Sequence, residues 1–403
     1  MDVSRIQQNA VNFTARKALP EKQAGAKQNQ IQDQVQLGSG GEEARAPKKW
    51  TIMHYSAADN NLTSYLVTDV NEMEKVGSTN TMNVVVQLDR GGSNCKRYIL
   101  QQDGNMKEIN SPIIKDLGST NMSDPNVLAN FIVESEKQYP AQHYALIISD
   151  HGYAWKGAVE DESHKGWMST PEIRQGIEMA EKKTGKKLDV VGFDACLMAS
   201  TEVAHELKDH AGFLVASEQT EGGNGWPYTP LLTSKSMETL SRAMSSKLDV
   251  TPREFATKIV ETAQSDQWTL PTMSATDLSK MDNVAKATDN FAKQLLDTKT
   301  PDSVFKDIIR KTENFHGFKD QYHFAQQVAD SKDIKDTKLK KSAEEFMVSL
   351  KKAVIAEQHS YKHPNAHGLN AEIPSGQGVG RGYSDLKYAK ETLWDEAMNK
   401  ITK

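Results

Sequence analysis

The chain has 403 residues, a length that favours more than one folded unit and leaves room for a large core. Hydrophobic residues make up 37% of it and charged residues 26%, which excludes a fibrous or wholly disordered chain. The formal net charge of −5 gives no overall basic field, so neither nucleic acid nor an anionic membrane surface is an expected partner. The apolar runs are also far shorter than a membrane-spanning helix requires.

Residues 1–48 are polar, rich in glutamine, and close on a glycine-serine run. Such a segment buries too little apolar surface to offset the entropy lost on ordering, so we expect a disordered leader. It contains no apolar core of a Sec-type signal peptide, which leaves a cytoplasmic protein or one exported by a non-classical route.

From Trp50 onward, short apolar runs alternate with amphipathic stretches of helix length. This alternation predicts an α/β fold in which a mainly parallel sheet is flanked by helices, here over residues 49–233. The expected strands are Trp50–Ser56, Met82–Leu88, Tyr98–Gln101, Tyr144–Ser149, Leu188–Phe193 and Phe213–Ser217.

The helices between these strands carry recognisable start and stop signals. Pro125 follows Ser123 and Asp124, and Ser169 has Glu172 three residues on, the spacing of a capping box that opens a helix ending at Gly185. After residue 233 strands nearly vanish, and residues 234–403 are predicted to be mostly helical. The expected helices are 62–76, 125–140, 169–185, 201–210, 252–264, 283–296 and 338–357.

Residues 144–155 read YALIISDHGYAW, an apolar run that ends at Asp150 and His151 and is followed directly by Gly152. Ligands of open α/β sheets bind outside the carboxyl ends of the strands, so this histidine is well placed for chemistry. Gly152 has no side chain, and its backbone N–H can approach a ligand closely. Taken alone, the motif is more typical of a structural or incidental histidine.

Residues 188–200 read LDVVGFDACLMAS, a second apolar run that ends at Asp194 and Cys196. Because a strand alternates with period two, these two side chains are expected on the same side of the sheet edge. A neighbouring carboxylate raises a thiol pKa, so Asp194 should have another role. A buried inert thiol and a helix-capping aspartate are the alternatives.

Together the two motifs indicate cysteine chemistry, because a nucleophilic thiol needs a nearby imidazole and an oxyanion hole. Cys196 follows His151 by 45 residues, which suits one loop-helix-strand crossover between adjacent or nearby parallel strands. We therefore predict His151 and Cys196 as a catalytic dyad. The backbone N–H groups of Gly152 and Cys196 are the predicted oxyanion hole.

With these motifs the chain resembles the clostripain family of cysteine peptidases, in the clan with the caspase-like fold. The resemblance covers about residues 50–230 and, more thinly, the C terminus. Besides the two motifs it rests on YSAADNNL (55–62), 202–207, 216–218, GNGWPY (223–228), 367–374 and 383–394.

The resemblance implies an endopeptidase that cuts polypeptides after Arg or Lys, with Asp194 as the acidic group that selects the basic residue. Glu218 and Glu221, in the loop after the last predicted strand, can line the same pocket, and Glu221 is the preferred second candidate. No cofactor is required; calcium is an option within the family, although no EF-hand pattern occurs here.

The polar stretch 153–168 lies between the two motifs and has no helical or strand periodicity, so it is expected to be a mobile loop at the active-site end of the sheet. Tethered there, Lys165 is presented at high effective concentration to a pocket that selects basic residues. We therefore predict self-cleavage after Lys165, in the region where clostripain-like enzymes are split.

Two other function classes remain open. His359, His363 and His367 are spaced by four and suggest a metallohydrolase, although Pro364 interrupts the helix that would align them and a metal site is not predicted. The second alternative is a non-catalytic binding module that keeps the caspase-like fold.

The other cysteine, Cys95, lies among turn residues and is expected to be a non-catalytic surface thiol.

Overall fold

The structure is a computed structural model that describes residues 47–233, 250–263 and 270–402. Nearly all of the predicted leader, and the first part of the predicted C-terminal region at 234–249, lie outside the described residues. Within them, no helix combines the length and the apolar character needed to cross a membrane.

A nine-stranded sheet forms the centre of the described chain, with spatial order β13-β10-β9-β8-β5-β1-β2-β3-β4. Two smaller sheets, β11-β12-β14 and β6-β7, lie outside it. In chain order the strands are β1 (Lys48–Ala57), β2 (Met82–Asp89), β3 (Cys95–Ile99), β4 (Ile113–Gly118), β5 (Ala141–Ser149), β6 (Ala158–Asp161), β7 (Gly166–Met168), β8 (Leu188–Asp194), β9 (Ala211–Ala216), β10 (Thr272–Asp277), β11 (Asn314–Phe315), β12 (Phe318–Asp320), β13 (Val354–His359) and β14 (Asn370–Ala371).

The helices of the described residues cover both faces of the large sheet. In chain order they are α1 (Thr63–Glu74), α2 (Pro125–Gln138), α3 (Thr170–Thr184), α4 (Thr201–Leu207), α5 (Tyr228–Thr233), α6 (Pro252–Ala263), α7 (Met281–Asp297), α8 (Asp302–Lys311), α9 (Gln321–Asp330), α10 (Thr337–Ala353), α11 (Lys387–Glu391) and α12 (Trp394–Ile401).

The five central strands, β2, β1, β5, β8 and β9, are parallel. Their alternating side chains enter two separate cores. One face packs against α2, α3, α4 and the later helices, and the other packs against α1, α5 and α6. Burial on both faces explains the nearly continuous apolar runs of these strands. The predicted α/β class with a mainly parallel sheet is confirmed.

The helix boundary signals also behave as predicted. The Asp124 carboxylate accepts a hydrogen bond from the backbone N–H of Asn126 at the start of α2. Ser169 and Glu172 form the capping box of α3, which ends at Gly185 with a left-handed φ of 71°. These interactions satisfy backbone groups that the helix itself leaves unpaired.

The strands outside the parallel centre differ from the prediction. β3 begins at Cys95 rather than Tyr98, and β4 was not predicted. The helix expected over 338–357 ends at Ala353, where Val354 and Ile355 begin β13. β-branched residues favour a strand, and antiparallel pairing with β10 makes one possible here.

β10 and β13 belong to the same sheet as the predicted catalytic domain, although both come after residue 234. β10 pairs antiparallel with β9, and β13 pairs antiparallel with β10. The division of the chain at residue 234 stays a prediction, but the later part of the chain supplies one edge of the central sheet.

The stretch 153–168 is not the irregular loop that its composition suggests. It contains a short 3-10 turn at Ala154–Lys156 and an antiparallel hairpin formed by β6 and β7. Strands of four and three residues are too short to reveal a period of two in the sequence. The exposed part is the four-residue turn 162–165 at the tip of this hairpin.

Candidate active site

The two predicted motifs meet at one edge of the sheet. β5 and β8 are neighbouring parallel strands, and Ser149 at the end of β5 lies opposite Asp194 at the end of β8. The backbone N–H of Asp150 donates to the Asp194 carbonyl at 3.3 Å. Beyond the strands, a Cβ on Gly152 would lie only 2.5 Å from the Cys196 carbonyl oxygen. The absence of a side chain at Gly152 therefore allows the segments carrying His151 and Cys196 to touch.

Asp150 fixes the backbone beside His151. One carboxylate oxygen accepts the Asn60 side-chain amide and the His151 backbone N–H, each at 2.6 Å. The other oxygen accepts the Glu160 backbone N–H at 2.5 Å. These three donors offset the cost of burying this carboxylate, although burial still raises its pKa well above the ordinary value.

The His151 imidazole is largely buried, and its Nε2 lies 2.6 Å from the Asn61 side-chain oxygen. Burial lowers the pKa of His151 because the charged form loses hydration. The neutral imidazole, which can accept a proton, is therefore favoured. Asn60 and Asn61 belong to the block YSAADNNL (55–62), and sequence reasoning predicted neither of these contacts.

Cys196 lies just beyond β8, in a tight turn rather than in the strand, so the period-two argument does not apply to it. The next residue, Leu197, has a left-handed φ of 70°, which is uncommon for a branched side chain. The Glu221 backbone N–H donates to the Cys196 sulfur at 3.4 Å. This turn, rather than strand alternation, sets the direction of the thiol.

Burial raises the pKa of the Cys196 thiol, and the nearby Asp194 charge raises it further, while the Glu221 N–H opposes both. Both pKa shifts favour the uncharged forms, a thiol and a neutral imidazole. Among the described residues, no hydrogen bond joins the two side chains. In the same residues, the backbone N–H groups of Gly152 and Cys196 donate to no carbonyl group, and the Cys196 N–H lies beside its own sulfur, where it lowers the thiol pKa.

Asp194 forms a buried polar network under the thiol. Its carboxylate accepts from the Tyr228 hydroxyl at 2.7 Å and, at 3.3 Å each, from the Trp226 backbone N–H and the Ser149 hydroxyl. The Tyr228 hydroxyl in turn contacts the buried His54 imidazole at 2.8 Å. Burial raises the pKa of Asp194.

Both carboxyl oxygens of Glu221 are buried, and the side-chain partners that shift the pKa of this group are the neighbouring Asp194 carboxyl group and the Trp226 side chain. Burial first, and then the charge of Asp194, raise the pKa of Glu221 well above its ordinary value. A buried pair of carboxyl groups is costly to ionise unless a cation approaches it. Glu218 instead lies away from the pocket and accepts the Gly368 backbone N–H at 2.8 Å.

The turn that carries Cys196 is held by a residue from the far end of the chain. The fully buried Asn370 side-chain amide donates to the Leu197 carbonyl at 3.0 Å and to the Glu218 carbonyl at 2.9 Å. Its backbone N–H donates to the Ala199 carbonyl at 2.9 Å. Sequence reasoning missed Asn370; its only signal is a polar residue inside an otherwise apolar block.

The three C-terminal histidines do not converge. His359 contacts Glu357, His363 contacts Glu313, and His367 contacts the Asn365 carbonyl. These separate contacts do not support a metallohydrolase that would use the three histidines.

Cys95 is not the surface thiol that the sequence predicted. It is fully buried at the start of β3, and burial raises its pKa to about 12.

Within the described residues, one group of side chains approaches metal-binding geometry, with ligand atoms of Asp59, Asp161 and His164 within 4.8 Å of one another. Asp161 is already used, because its oxygens accept the backbone N–H groups of Met122 and His164. Calcium takes six to eight oxygen ligands and has little affinity for imidazole. This group does not fit calcium, and the calcium option stays a prediction.

Lys165 is exposed at the tip of the β6–β7 hairpin, with a left-handed φ of 54°. Its turn is tied back through the Glu162 and Ser163 backbone N–H groups, which donate to Asp59 at 2.9 and 3.1 Å. The other lysine of the stretch, Lys156, has its ammonium 4.4 Å from the centre of the Tyr153 ring.

The chain is similar in sequence to proteins of a known family. A family model described as the clostripain family matches residues 54–400. Clostripain from Hathewaya histolytica is 28% identical over 242 residues, which is 50% of this chain and 45% of that protein. The chain thus spans less than half the length of this relative.

Solved structures of C11 cysteine proteases have the same fold. The secreted C11 protease "iotapain" from Bacteroides thetaiotaomicron has a TM-score of 0.66 at 16% identity, covering 86% of this chain and 99% of that one. An inactive zymogen C11 protease from Parabacteroides distasonis has a TM-score of 0.63 at 17% identity, covering 87% and 99%. The sheet and its helices are therefore of the caspase-like class. The chain belongs to the clostripain family, as the sequence motifs indicated.

The two cysteines should differ sharply in reactivity. We expect iodoacetamide to modify Cys196 in the folded protein and to leave Cys95 unmodified, because Cys95 is fully buried with a strongly raised pKa. Mass spectrometry of peptides from the native and the denatured protein measures this directly. Modification of Cys95 in the native protein at the rate of Cys196 would contradict the burial described above.

Proposed function

We propose that this protein is a cysteine endopeptidase that cuts polypeptides after Arg or Lys, with Cys196 as nucleophile and His151 as acid-base. The observation that carries the proposal is the meeting of these two residues at neighbouring strand ends beside the buried Asp194 and Glu221 carboxyl groups. A non-catalytic module would have no need for a thiol, an imidazole and a buried acid at one point.

In the first half of the reaction, the Cys196 thiol passes its proton to the His151 imidazole as sulfur attacks the carbonyl carbon of the scissile bond. The carbonyl oxygen becomes an oxyanion, for which we propose the backbone N–H groups of Gly152 and Cys196 as hydrogen-bond donors. The tetrahedral intermediate then collapses: the C–N bond breaks, and the imidazolium gives its proton to the leaving amine.

In the second half, water attacks the thioester carbonyl while His151 takes one of its protons. The C–S bond breaks, the carboxylic acid product leaves, and the proton returns to sulfur. The lowered pKa of His151 suits this cycle, because the imidazole is a neutral base at the start of each half. The Glu221 N–H on the sulfur favours the thiolate as it forms.

Specificity for a basic residue would come from the carboxyl groups beside the thiol. Asp194 already accepts hydrogen bonds from Tyr228, Trp226 and Ser149, and these donors do not bind Glu221 in the same way, so we assign Glu221 as the partner of the incoming guanidinium or ammonium. The neighbouring Asp194 carboxylate adds negative charge that attracts the same cation. A cation that enters this pocket restores the ionised form of both acids by offsetting their desolvation.

The dyad is tested by substitution. Cys196→Ala and His151→Ala should each reduce hydrolysis of an Arg-containing fluorogenic peptide by at least about a thousandfold, while circular dichroism stays that of the wild type. Cys95→Ala should keep full activity, since its thiol only fills space in the core. Equal losses from Cys95→Ala and Cys196→Ala would refute the assignment of the nucleophile.

The specificity pocket is tested with two peptides that differ only in carrying Arg or its neutral isostere citrulline before the cut. Glu221→Gln and Asp194→Asn should each lower kcat/KM for the Arg peptide by about tenfold to a hundredfold and change kcat/KM for the citrulline peptide much less.

Because burial raises the pKa of both acids, the preference for Arg should also fall as pH falls through these raised pKa values. Glu178→Gln on the outer face of α3 is the control, and an unchanged Arg preference in both pocket variants would place the selecting charge elsewhere.

We also propose self-cleavage after Lys165. The hairpin turn exposes this lysine and the following bond, whereas the Lys156 ammonium is packed over aromatic rings. Gly166 fits so closely against Ser123 that the hairpin must open before the bond reaches an active site. The two products would stay associated, because β5 and β8 lie on opposite sides of the cut and pair with each other.

Incubated wild-type protein should therefore yield the fragments 1–165 and 166–403, with Gly166 as a new N terminus, and the fragments should elute together on gel filtration. Cys196→Ala and Lys165→Ala should both remain intact under the same conditions. N-terminal sequencing decides the site, and a fully active enzyme that never produces the Gly166 terminus would rule out cleavage at this bond.

A further inference from the structure

We propose that Asn61 is a positioning residue for the His151 imidazole: its side-chain oxygen holds Nε2 in the protonated form and leaves Nδ1 as the nitrogen that exchanges protons with Cys196 and the leaving group. The inference rests on the proposed His151–Cys196 dyad. It adds a member that neither the two motifs nor the spacing between them indicated.

The contact belongs to a matched pair of two-residue segments. Asn60 and Asn61 are consecutive, and they face the consecutive residues Asp150 and His151. Asn60 binds the Asp150 carboxylate at 2.6 Å, and Asn61 binds the His151 imidazole at 2.6 Å. The Asn60 side-chain oxygen also accepts the Leu62 backbone N–H at 2.9 Å, which anchors the turn before α1. The Asn60–Asp150 contact therefore fixes the distance between the two segments, and this distance brings Asn61 to the His151 ring.

The chemistry of the acceptor determines the tautomer. A side-chain amide oxygen only accepts hydrogen bonds, so the imidazole nitrogen next to it must carry the hydrogen. In a neutral imidazole the other nitrogen is then unprotonated. His151 Nδ1 has no hydrogen-bond partner among the described residues, so it is the nitrogen available as a base.

The other carboxyl groups near His151 cannot take this role. Asp150 uses its oxygens for three other donors, as described above. The Glu160 carboxylate is 3.9 Å from Nε2, beyond hydrogen-bond distance, and is partly exposed to solvent. Asn61 is therefore the acceptor that orients the ring.

A neutral acceptor also suits the acid-base cycle. A carboxylate at this position would stabilise the imidazolium and raise the His151 pKa, whereas an amide oxygen orients the ring without adding charge. The Nε2–H···O contact persists when Nδ1 gains a proton, so the ring need not turn during the reaction.

Kinetics with three variants test the proposal. Asn61→Ala should lower kcat by about tenfold to a hundredfold with KM changed less than about threefold, because substrate binding does not use this contact. Asn61→Asp keeps an acceptor and adds a charge, so it should retain more activity, and the acidic limb of its pH profile should move to higher pH as the His151 pKa rises. Asn130→Ala, an exposed asparagine on α2, should match the wild type. Wild-type kcat and an unmoved pH profile in both Asn61 variants would overturn the proposal.

A second measurement does not depend on peptidase activity. In the Cys196→Ala protein, the ¹⁵N chemical shifts of His151 should report a neutral imidazole protonated at Nε2, and Asn61→Ala in that background should produce a mixture of tautomers. Protonation at Nδ1 in the parent, or no change on removing Asn61, would overturn the proposal. Retention of activity by Cys196→Ala or His151→Ala would instead refute the proposed dyad, so the two failures are distinguishable.

Discussion

The site depends on the parallel pairing of β5 with β8. That pairing places Ser149 opposite Asp194, and the segments that leave the two strands then pack so closely that only a glycine fits at position 152. The imidazole segment and the thiol segment thus touch through their backbones, while the two side chains are oriented by other parts of the chain. A change in the register of these two strands would separate the proposed dyad even if every side chain kept its rotamer.

The orientation of the two reactive groups comes from opposite ends of the sequence. His151 is held from the N-terminal side by the turn before α1, and the Cys196 turn is held from the C-terminal side by Asn370. The strained Leu197 backbone needs such support, because a left-handed φ persists in a branched residue only when its surroundings fix it. The later part of the chain therefore supports the candidate site through Asn370 and also covers the sheet with its helices.

The parallel centre of the fold and the position of the site could be predicted because they depend on local signals: continuous apolar runs, capping residues, and strand ends rich in polar groups. β10 could not, because Thr272–Asp277 is mostly small and polar and becomes a strand only by pairing with β9. Asn61 and Asn370 could not either. Each is an ordinary polar residue whose partner lies 90 or more positions away, and no periodicity marks such a pair.

The Asn370 contact also has a consequence for the order in which the protein matures. A chain is synthesised from its N terminus, and Asn370 follows Leu197 by 173 residues, so the Cys196 turn can bond to Gln219 and Ser217 long before it gains the support of Asn370. Strands β1, β2, β5 and β8 can pair earlier, with the thiol present but not yet fixed. The geometry of the proposed peptidase site is therefore completed only when synthesis is almost finished.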